Sequence, residues 1–312
     1  MNVEEKILII KLSAFGDFIQ ATGPFKAIRQ QFPQAHITLM TTKPYYEMAK
    51  KCKWFDEIVI DERPKWFNIK GWFKTAKIIK KYQIVYDLQT SKRTNRYFYI
   101  AKLLGFQGDW SGIAKGCKYP HSNSKRDFMH TVDRQKEQLQ MAGIKNVPVP
   151  DISWFTADVK TDFNIKKPYV LLVPGGAKHR PQKRWTSLNY AELAKRFLKK
   201  AIVPVIIGGD SERESIDIII KECPDAISLM GKTKFEDIAD LAREAVLAVG
   251  NDTGPMHLIA AAKTPCLVLF SSNSNPDLCR PYGDVKIMQK DDLNNLTCDE
   301  VDDFLEKNFS FS

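Results

Sequence analysis

The sequence predicts an α/β protein made of two doubly wound domains that face each other across a cleft. Short apolar runs alternate with segments of helical periodicity. This alternation stops at a proline-bearing stretch and then restarts, and glycine-containing loops follow several of the apolar runs. Strands separated by helices of this length imply parallel βαβ units. A chain of 312 residues has room for about two such domains.

The first half of the chain supplies four strand-like runs, and helical patterns follow each of them. The predicted strands are 7–11, 36–42, 55–61 and 84–89, and the helical patterns cover 25–32, 44–51, 72–81, 94–104 and 133–142. Residues 108–128 are rich in Gly, Ser, Lys and Asn, so we expect a mobile loop there.

The second half repeats the alternation after two irregular stretches, NVPVPDISWF (146–155) and DFNIKKP (162–168). These stretches indicate domains of residues 1–160 and 161–312. The predicted strands are 169–173, 203–209, 226–231, 245–250 and 265–270, and the predicted helices are 188–199, 212–222, 235–244, 255–262 and 299–309. The last helix could also pack back on the first domain.

Charge is distributed unevenly along the chain. Residues 1–160 hold 27 Lys and Arg against 15 Asp and Glu, whereas residues 161–312 hold 20 against 22. The first half therefore suits an anionic partner. Nucleic acid, anionic lipid and a phosphorylated substrate all fit, as does a solvated basic face without a specific partner.

The lack of a recognisable targeting signal and the scattered cysteines favour a cytoplasmic protein. We find no secretory signal and no apolar run near the ~20 residues that span a bilayer. The six cysteines are scattered without a CxxC pair, which predicts reduced thiols rather than a zinc site.

The loop after the first strand, KLSAFGDF (11–18), carries the acid Asp17. In doubly wound sheets, ligands bind outside the carboxyl ends of the strands. A carboxylate at this position could act as a general base, and Gly16 could let the backbone approach a ligand closely. Taken alone, however, this stretch favours Asp17 as a cap of the helix that follows it over the general base.

Two loops of the second half suit a nucleotide. VPGGAKHRPQKRW (173–185) joins two glycines to five basic side chains, which favours a phosphate-binding surface over a basic solvent loop. The residues concerned are Gly175, Gly176, Lys178, His179, Arg180, Lys183 and Arg184. In IIGGDSERE (206–214), Glu212 could accept hydrogen bonds from ribose hydroxyls, unless this acidic stretch only caps a helix.

The stretch VGNDTGPMHLIAAA (249–262) predicts an anion site at a helix N-terminus. A proline suits the first helical position, so the backbone N–H groups of Thr253 and Gly254 would face a ligand beside the positive end of the helix dipole. Asp252 is placed to accept from sugar hydroxyls, and His257 could donate to a phosphoryl oxygen. A capped helix with a surface histidine is the alternative.

Several other chemistries lack their motifs. The chain has no DxD pair for a metal-bridged nucleotide sugar, no P-loop and no GxSxG elbow. Its histidines do not cluster at metal-ligand spacing. Neither half has GxGxxG, which argues against a NAD-dependent enzyme.

Taken together, these motifs resemble a known family. ILIIKLSAFGDFIQATGPFKAIRQQFP, VYDLQTSKRTNRYFYIAKLLGF, the KRW of the phosphate loop and NDTGPMH are similar, in order and spacing, to glycosyltransferase family 9, the ADP-heptose:lipopolysaccharide heptosyltransferases. The resemblance implies a GT-B fold of two Rossmann-like domains. It implies inverting, metal-independent transfer of a heptose from ADP-heptose to a lipopolysaccharide inner-core acceptor, with no cofactor besides the ADP-sugar donor substrate.

The resemblance also assigns roles to residues of this chain. Asp17 matches the proposed catalytic base, and Lys183 matches a lysine that contacts the diphosphate. The donor set is Gly175, Gly176, Lys183, Glu212, Met230, Gly231, Asp252, Thr253, Gly254 and His257, with Met230 and Gly231 against the adenine. The acceptor set is Ser13, Gly16, Lys92 and Arg93, and no residue is assigned to a metal.

The implied partners are ADP-heptose or a related nucleotide sugar, an anionic lipid-linked sugar acceptor and an anionic membrane surface, but no nucleic acid. The implied location is cytoplasmic, at the inner face of the membrane. Two departures from the family pattern concern the substrates: Lys11 stands where arginine is common, and FSSNSNPDLCRPYG (270–283) replaces a Phe-Gly-x-Thr-like turn. A different donor or acceptor on the same fold, or a non-catalytic binding protein, are the alternatives.

Overall fold

A computed structural model describes residues 5–157, 163–176 and 183–310. The chain divides into two compact units, Met1–Trp154 and Phe155–Ser312. The predicted boundary between residues 160 and 161 falls outside the described ranges. Each unit is an α/β structure around its own parallel six-stranded sheet.

The first unit has six parallel strands in the order β3-β2-β1-β4-β5-β6. The strands are β1 (Lys6–Ile10), β2 (His36–Thr41), β3 (Glu57–Ile60), β4 (Ile84–Asp87), β5 (Asp109–Gly112) and β6 (Tyr119–Pro120). The helices are α1 (Phe15–Gln20), α2 (Thr22–Gln31), α3 (Tyr46–Lys51), α4 (Ile69–Ile79), α5 (Lys92–Leu103) and α6 (Thr131–Met141), with 3-10 turns at Lys43–Tyr45 and Arg126–Phe128.

Local sequence explains where these elements lie. The apolar side chains of β1 are fully buried because helices cover both faces of a parallel sheet. Side chains cap three of the helices at their N-termini: Asn68 accepts from the Gly71 N–H before α4, Ser91 from the Thr94 N–H before α5, and His130 from the Val132 N–H before α6.

The prediction of a loop over residues 108–128 is wrong. This segment contains β5, β6 and a 3-10 turn, and β5 pairs with β4. Trp110 in β5 is fully buried against Phe98 and Phe106. The strands escape prediction because they are only four and two residues long and polar residues surround the buried tryptophan.

The second unit has strand order β12-β11-β10-β7-β8-β9, again parallel throughout. The strands are β7 (Tyr169–Val173), β8 (Val203–Ile206), β9 (Ile227–Ser228), β10 (Leu247–Asn251), β11 (Cys266–Ser271) and β12 (Val285–Lys290). The helices are α7 (Ser187–Lys199), α8 (Arg213–Glu222), α9 (Phe235–Glu244), α10 (Gly254–Ala261), α11 (Pro276–Cys279) and α12 (Cys298–Asn308), with 3-10 turns at Asp210–Glu212 and Leu293–Asn295.

The last helix, α12, packs within the second unit. Val301 and Leu305 of α12 join the same buried core as Phe197 of α7. Arg196 of α7 also pairs with Asp302 of α12 at 3.2 Å. The sequence did not predict β12, because its alternating polar residues leave it only partly buried at the sheet edge.

Both sheets have the order 3-2-1-4-5-6 when strands are counted within each unit, which is the order of Rossmann-type folds. In such sheets the chain reverses direction of winding between the two central strands, and ligands bind outside the carboxyl ends of those strands. The pair is β1 and β4 in the first unit and β7 and β10 in the second.

Two further predictions can be compared with the structure. The six cysteines are all free, as the sequence predicts. Among the helices in the described ranges, none combines the length and apolar character that a membrane crossing needs.

Candidate functional site

In the second unit, the loops that follow β7 and β10 meet through an ion pair. Lys183 Nζ lies 2.8 Å from Asp252 Oδ2, and each side chain is only 12% exposed. Ser274 Oγ donates to the same carboxylate oxygen at 2.7 Å. The structure thus joins two residues predicted for the donor site and adds a serine that the sequence did not single out.

Asn251, the last residue of β10, organises the loops around this pair and was also missed by sequence reasoning. Its side chain is fully buried. Asn251 Oδ1 accepts from the Trp185 N–H at 3.0 Å. Asn251 Nδ2 donates to the carbonyls of Pro174 and Gly175, at 2.9 and 3.0 Å. One amide group therefore fixes both ends of the loop after β7 relative to β10. The sequence feature that could have singled out Asn251 is an amide side chain at the end of a buried, strand-like run.

The N-terminus of α10 lies directly after this strand. Thr253 precedes the helix in an extended conformation, and its hydroxyl is buried without a hydrogen-bond partner among the described residues. The first backbone N–H groups of a helix have no partner within it, so they attract anions. His257 is in the first turn of α10 and also belongs to the predicted donor set. Its side chain is buried rather than on the surface.

Close packing of α10 on its strand requires a glycine. A Cβ built on Gly250 would lie 2.6 Å from Met256 Sδ and 2.9 Å from Val173 Cβ. Only a residue without a side chain lets α10 approach the central strands this closely. The position of the helix N-terminus therefore depends on Gly250.

The remaining donor residues lie at neighbouring strand ends. Glu212 accepts from the Gly209 N–H at 3.0 Å, which is the capping contact considered as the alternative, and its side chain also lies against Gly175. The Gly231 N–H donates to the Gly208 carbonyl at 2.9 Å.

The structure gives fewer contacts for the other residues predicted to bind the donor. Met230, beside Gly231, is half-buried. The Gly176 carbonyl accepts from the Arg184 guanidinium. Lys178, His179 and Arg180 fall outside the described ranges.

Asp17 lies in the first unit, at the third position of α1. Its Oδ2 accepts from the Ala14 N–H at 3.1 Å, so the capping contact is present, and the carboxylate remains half-buried. The N–H groups of Leu12 and Ser13 both donate to Gln89 Oε1, at 2.8 and 3.0 Å. This amide ties the loop after β1 to the loop after β4, beside the buried Gly16 of the acceptor set.

The predicted acceptor residues on α5 differ in their surroundings. Lys92 is exposed. Arg93 donates to the Pro64 carbonyl at 3.0 Å, and its guanidinium lies 5.1 Å from the centre of the Trp72 ring. Arg93 therefore holds the segment that precedes α4.

A buried charged group follows β1 and β4 and was not predicted as a site. Lys11 is 3% exposed and donates to the Leu88 carbonyl at 3.3 Å, and burial lowers the pKa of its ammonium group. Burial raises the pKa of Asp87 to about 6, although the backbone N–H groups of Gln89 and Thr90 donate to it. The sequence feature that could have singled out Lys11 and Asp87 is an ionisable residue at the end of a buried, strand-like run.

Arg126 extends this group of charges. It donates to Thr90 Oγ1 at 2.6 Å and to His121 Nδ1 at 3.1 Å. Burial and then the charge of Arg134 lower the pKa of the Arg126 guanidinium. Concentrated positive charge therefore faces the carboxyl ends of the first unit's central strands.

Two α/β units, each with a parallel sheet of this order, are the architecture of the GT-B fold, which the sequence predicts. The chain belongs to glycosyltransferase family 9 (heptosyltransferase), whose model matches residues 74–308. It is therefore a glycosyltransferase, as the sequence predicts.

The comparisons with known proteins agree along most of the chain. Lipopolysaccharide heptosyltransferase 2 of Salmonella typhimurium is 30% identical over 306 residues, covering 88% of this chain and 85% of the relative. Lipooligosaccharide heptosyltransferase 2 of Haemophilus influenzae is 23% identical over 305 residues, covering 89% and 86%.

Solved structures support the same fold. The E. coli ADP-heptose lps heptosyltransferase II superposes with a TM-score of 0.75 at 21% identity, covering 97% of this chain and 98% of that one. The E. coli heptosyltransferase WaaC with ADP gives a TM-score of 0.75 at 19% identity, covering 97% and 99%.

Proposed function

We propose that this enzyme transfers a heptose from ADP-heptose to a lipopolysaccharide inner-core acceptor, with inversion at the anomeric carbon and without a metal ion. The observation that carries the proposal is the Lys183–Asp252 pair beside the N-terminus of α10, at the central strands of the second unit. Relatives named as lipopolysaccharide heptosyltransferases support the choice of sugar and acceptor.

On the donor side, we assign the diphosphate to Lys183 and to the backbone N–H groups at Thr253 and Gly254. An ammonium group has three N–H donors, so Lys183 can hold Asp252 and a phosphate oxygen together. The helix dipole and this cation stabilise the charge that develops on departing ADP. Because they supply positive charge to the diphosphate, we propose that no metal ion is needed there.

The other donor residues complete the nucleotide-sugar site in this proposal. Asp252 accepts from hydroxyls of the heptose and His257 donates to a phosphoryl oxygen. Glu212 accepts from the ribose, and Met230 and Gly231 contact the adenine. Gly175 and Gly176 let the backbone approach the nucleotide.

On the acceptor side, we assign Asp17 as the general base, and Ser13, Gly16, Lys92 and Arg93 as acceptor contacts. The acceptor hydroxyl attacks the anomeric carbon, its proton passes to Asp17, and the bond from that carbon to ADP breaks. The first unit, with 26 Lys and Arg against 14 Asp and Glu, suits a phosphorylated, carboxylated lipid sugar at the inner face of the cytoplasmic membrane.

Asp17→Asn is the variant that tests the base. An asparagine retains an oxygen that can accept from the Ala14 N–H, so the cap and the fold should persist. Loss of the base should lower kcat by about 100-fold or more, because general-base catalysis contributes about 10²–10⁴-fold. Transfer is measured with ADP-heptose and a lipid-linked inner-core acceptor, with product stereochemistry read by NMR and with EDTA present or absent. Wild-type kcat in Asp17→Asn would refute the assignment.

A thermal-shift panel tests the donor independently of turnover. ADP and ADP-heptose should stabilise both wild type and Asp17→Asn, by several degrees at ligand concentrations near 100 times Kd, where binding contributes ~2.7 kcal/mol. UDP, GDP, CMP and NAD serve as controls, each with and without magnesium. A preference for UDP or GDP would overturn the heptose assignment. Binding of ADP-heptose without transfer to any acceptor would instead indicate a binding protein.

A further inference from the structure

The end of the segment before α4 and the first residue of α4 expose three large apolar side chains close together in the sequence. Trp66 is 81% exposed, Phe67 61% and Ile69 65%. We call these three residues the apolar tip. Trp66 and Phe67 contact each other edge to face at 5.7 Å. Contiguous exposed apolar side chains of this size mark an interaction surface rather than ordinary surface variation.

The backbone beneath the apolar tip is anchored. The Lys65 carbonyl accepts from the Asn68 N–H at 2.9 Å and from Trp72 Nε1 at 2.9 Å. Asn68 also caps α4. The protein therefore holds the tip outward on a fixed turn, and Trp72, which anchors it, is itself buried in the core.

A row of lysines continues from the tip along α4. Lys70, Lys74 and Lys77 of α4 are exposed, as is Lys81, two residues after its end, and their spacing of four, three and four residues places them along one side of the helix axis. We call them the lysine stripe. Trp72, Ala76 and Ile79 are buried on the opposite side of α4. The stripe, with Phe73 and Ile78 between the lysines, lines one surface groove.

The exposed charges within residues 63–103 have a single sign, and the nearest exposed acids are Glu62, just before this range, and Glu57, which lines a groove with Lys81. Residues 63–103 contain eleven Lys and Arg and one acid, Asp87, which is fully buried. The exposed surface of this segment thus offers cations and apolar groups but no anion.

This combination fits one kind of partner. Exposed tryptophan, phenylalanine and aliphatic side chains enter the boundary between headgroups and acyl chains, while lysines bind anionic headgroups on their long stems. Phosphate in nucleic acid would also attract the lysines, but it offers nothing that would bury Phe67 and Ile69.

We propose that the apolar tip and the lysine stripe form the docking surface of this enzyme for a lipid bilayer with anionic headgroups. The inference rests on the proposed function only in that a lipid-linked acceptor must be met at a membrane. It locates that contact on the segment before α4 and on α4 itself.

The test is flotation of the full chain with vesicles. We compare pure phosphatidylcholine with vesicles that contain about one third phosphatidylglycerol, at low salt and at about 1 M NaCl, where the screening length is ~3 Å. Wild type should bind only the anionic vesicles, and salt should release it. The stripe variant K70E/K74E/K77E should lower the partition coefficient by more than about 100-fold, since each lost basic side chain contributes about fivefold near such a surface and the new carboxylates add repulsion.

Matched variants separate location from net charge and from loss of folding. K199E/K221E/K286E makes the same charge change on exposed lysines of the second unit and should bind nearly as wild type. W66A/F67A/I69A should lower the partition coefficient onto anionic vesicles. Salt should release the protein that still binds more easily than it releases wild type. Each variant should keep its thermal shift with ADP and its transfer rate to a water-soluble, delipidated acceptor.

Four outcomes would overturn the inference: absence of vesicle binding, equal binding to neutral vesicles, unchanged binding by the stripe and tip variants, or retention by a single-stranded oligonucleotide in place of vesicles. Transfer activity is scored separately. Variants that lose anionic-vesicle binding support the docking surface even if no heptose transfer is found. Transfer without vesicle binding overturns the surface and leaves the proposed function intact.

Discussion

At the scale of single residues, Asn251 links the loops of the second unit. Its amide satisfies two carbonyls of the loop after β7 and accepts from the backbone of Trp185 and from the Tyr190 hydroxyl. Every one of these groups is away from water. The geometry of the Lys183–Asp252 pair therefore depends on a neighbour that need not touch substrate.

Asn251→Asp is the sharpest test of this role. The change preserves size and the accepting oxygen but removes both N–H donors from the Pro174 and Gly175 carbonyls. We expect the free energy of unfolding to fall by about 3 kcal/mol, because a buried polar group that loses its partner costs ~1–3 kcal/mol. The thermal shift with ADP should fall as well.

Urea denaturation measures the stability, and Asn146→Asp provides the control. Asn146 is exposed, so the same chemical change there should alter stability by less than ~0.5 kcal/mol. Equal effects of the two substitutions would contradict the positioning role of Asn251.

Asp87 makes a prediction about pH. Burial raises its folded pKa to about 6, above the ordinary value of 3.8, so the folded state favours the neutral carboxyl. This contribution to stability is fully present below about pH 4 and is lost as pH rises through 6. The pKa difference corresponds to roughly 3 kcal/mol.

Asp87→Asn removes that titration and keeps an oxygen for the Gln89 and Thr90 N–H groups. The stability of wild type relative to Asp87→Asn should therefore fall by about 2 kcal/mol from pH 4 to pH 6.5 and then level off. Urea unfolding of both proteins across this range measures the difference. A constant or rising difference would show that Asp87 ionises in the folded state as it does in water.

At the scale of elements, the contact between β10 and α10 sets the helix N-terminus. Gly250→Ala should destabilise the protein by about 1–3 kcal/mol, because the new methyl would overlap Met256 and Val173. It should also weaken ADP binding, since α10 must move. Chemical denaturation and the ADP thermal shift measure the two effects.

Gly209→Ala is the matched control. Its backbone has φ −103°, which alanine adopts, and the nearest atom to its Cβ would be Glu212 Oε2 at 3.7 Å. Stability should stay the same or rise slightly. If Gly250→Ala were as harmless as Gly209→Ala, the helix would not depend on this close approach.

The elements that the sequence predicted well are those whose signal is local. The buried run YVLLV and the amphipathic segment from Phe235 to Glu244 appear with the predicted bounds. Strands β5 and β12 were missed because their burial depends on neighbouring strands, which short polar-flanked segments do not reveal.

The residues of the candidate site could also be predicted only where a local sequence motif marks them. Lys183 and Asp252 stood out through their motifs, and their ion pair agrees with the expected proximity of loops after central strands. Asn251 did not stand out, because its importance comes from partners that are about 60–80 residues away in the chain. Local periodicity carries no information about such contacts.

At the scale of the whole molecule, each unit has a core of its own. The core around Trp110 uses only residues of the first unit, and that around Trp185 only residues of the second. Every residue assigned to the donor belongs to the second unit. Domains with separate cores can fold separately.

We therefore expect residues 155–312, expressed alone, to fold and to bind ADP with a Kd within about threefold of the whole chain, which is under ~0.7 kcal/mol. Calorimetry measures the affinity, and residues 1–154 serve as the control that should not bind. A folded second unit that fails to bind ADP would place part of the donor site in the first unit.

The six tryptophans lie in different environments, so their fluorescence should differ. Trp185 is the only tryptophan after residue 155, and its indole N–H donates to the Leu296 carbonyl at 2.7 Å in a dry core, two residues from Lys183. Trp66 is mostly in water. Among the six tryptophans, we therefore expect Trp185 to emit towards the blue and to respond to nucleotide, and Trp66 to emit towards the red and to respond to lipid.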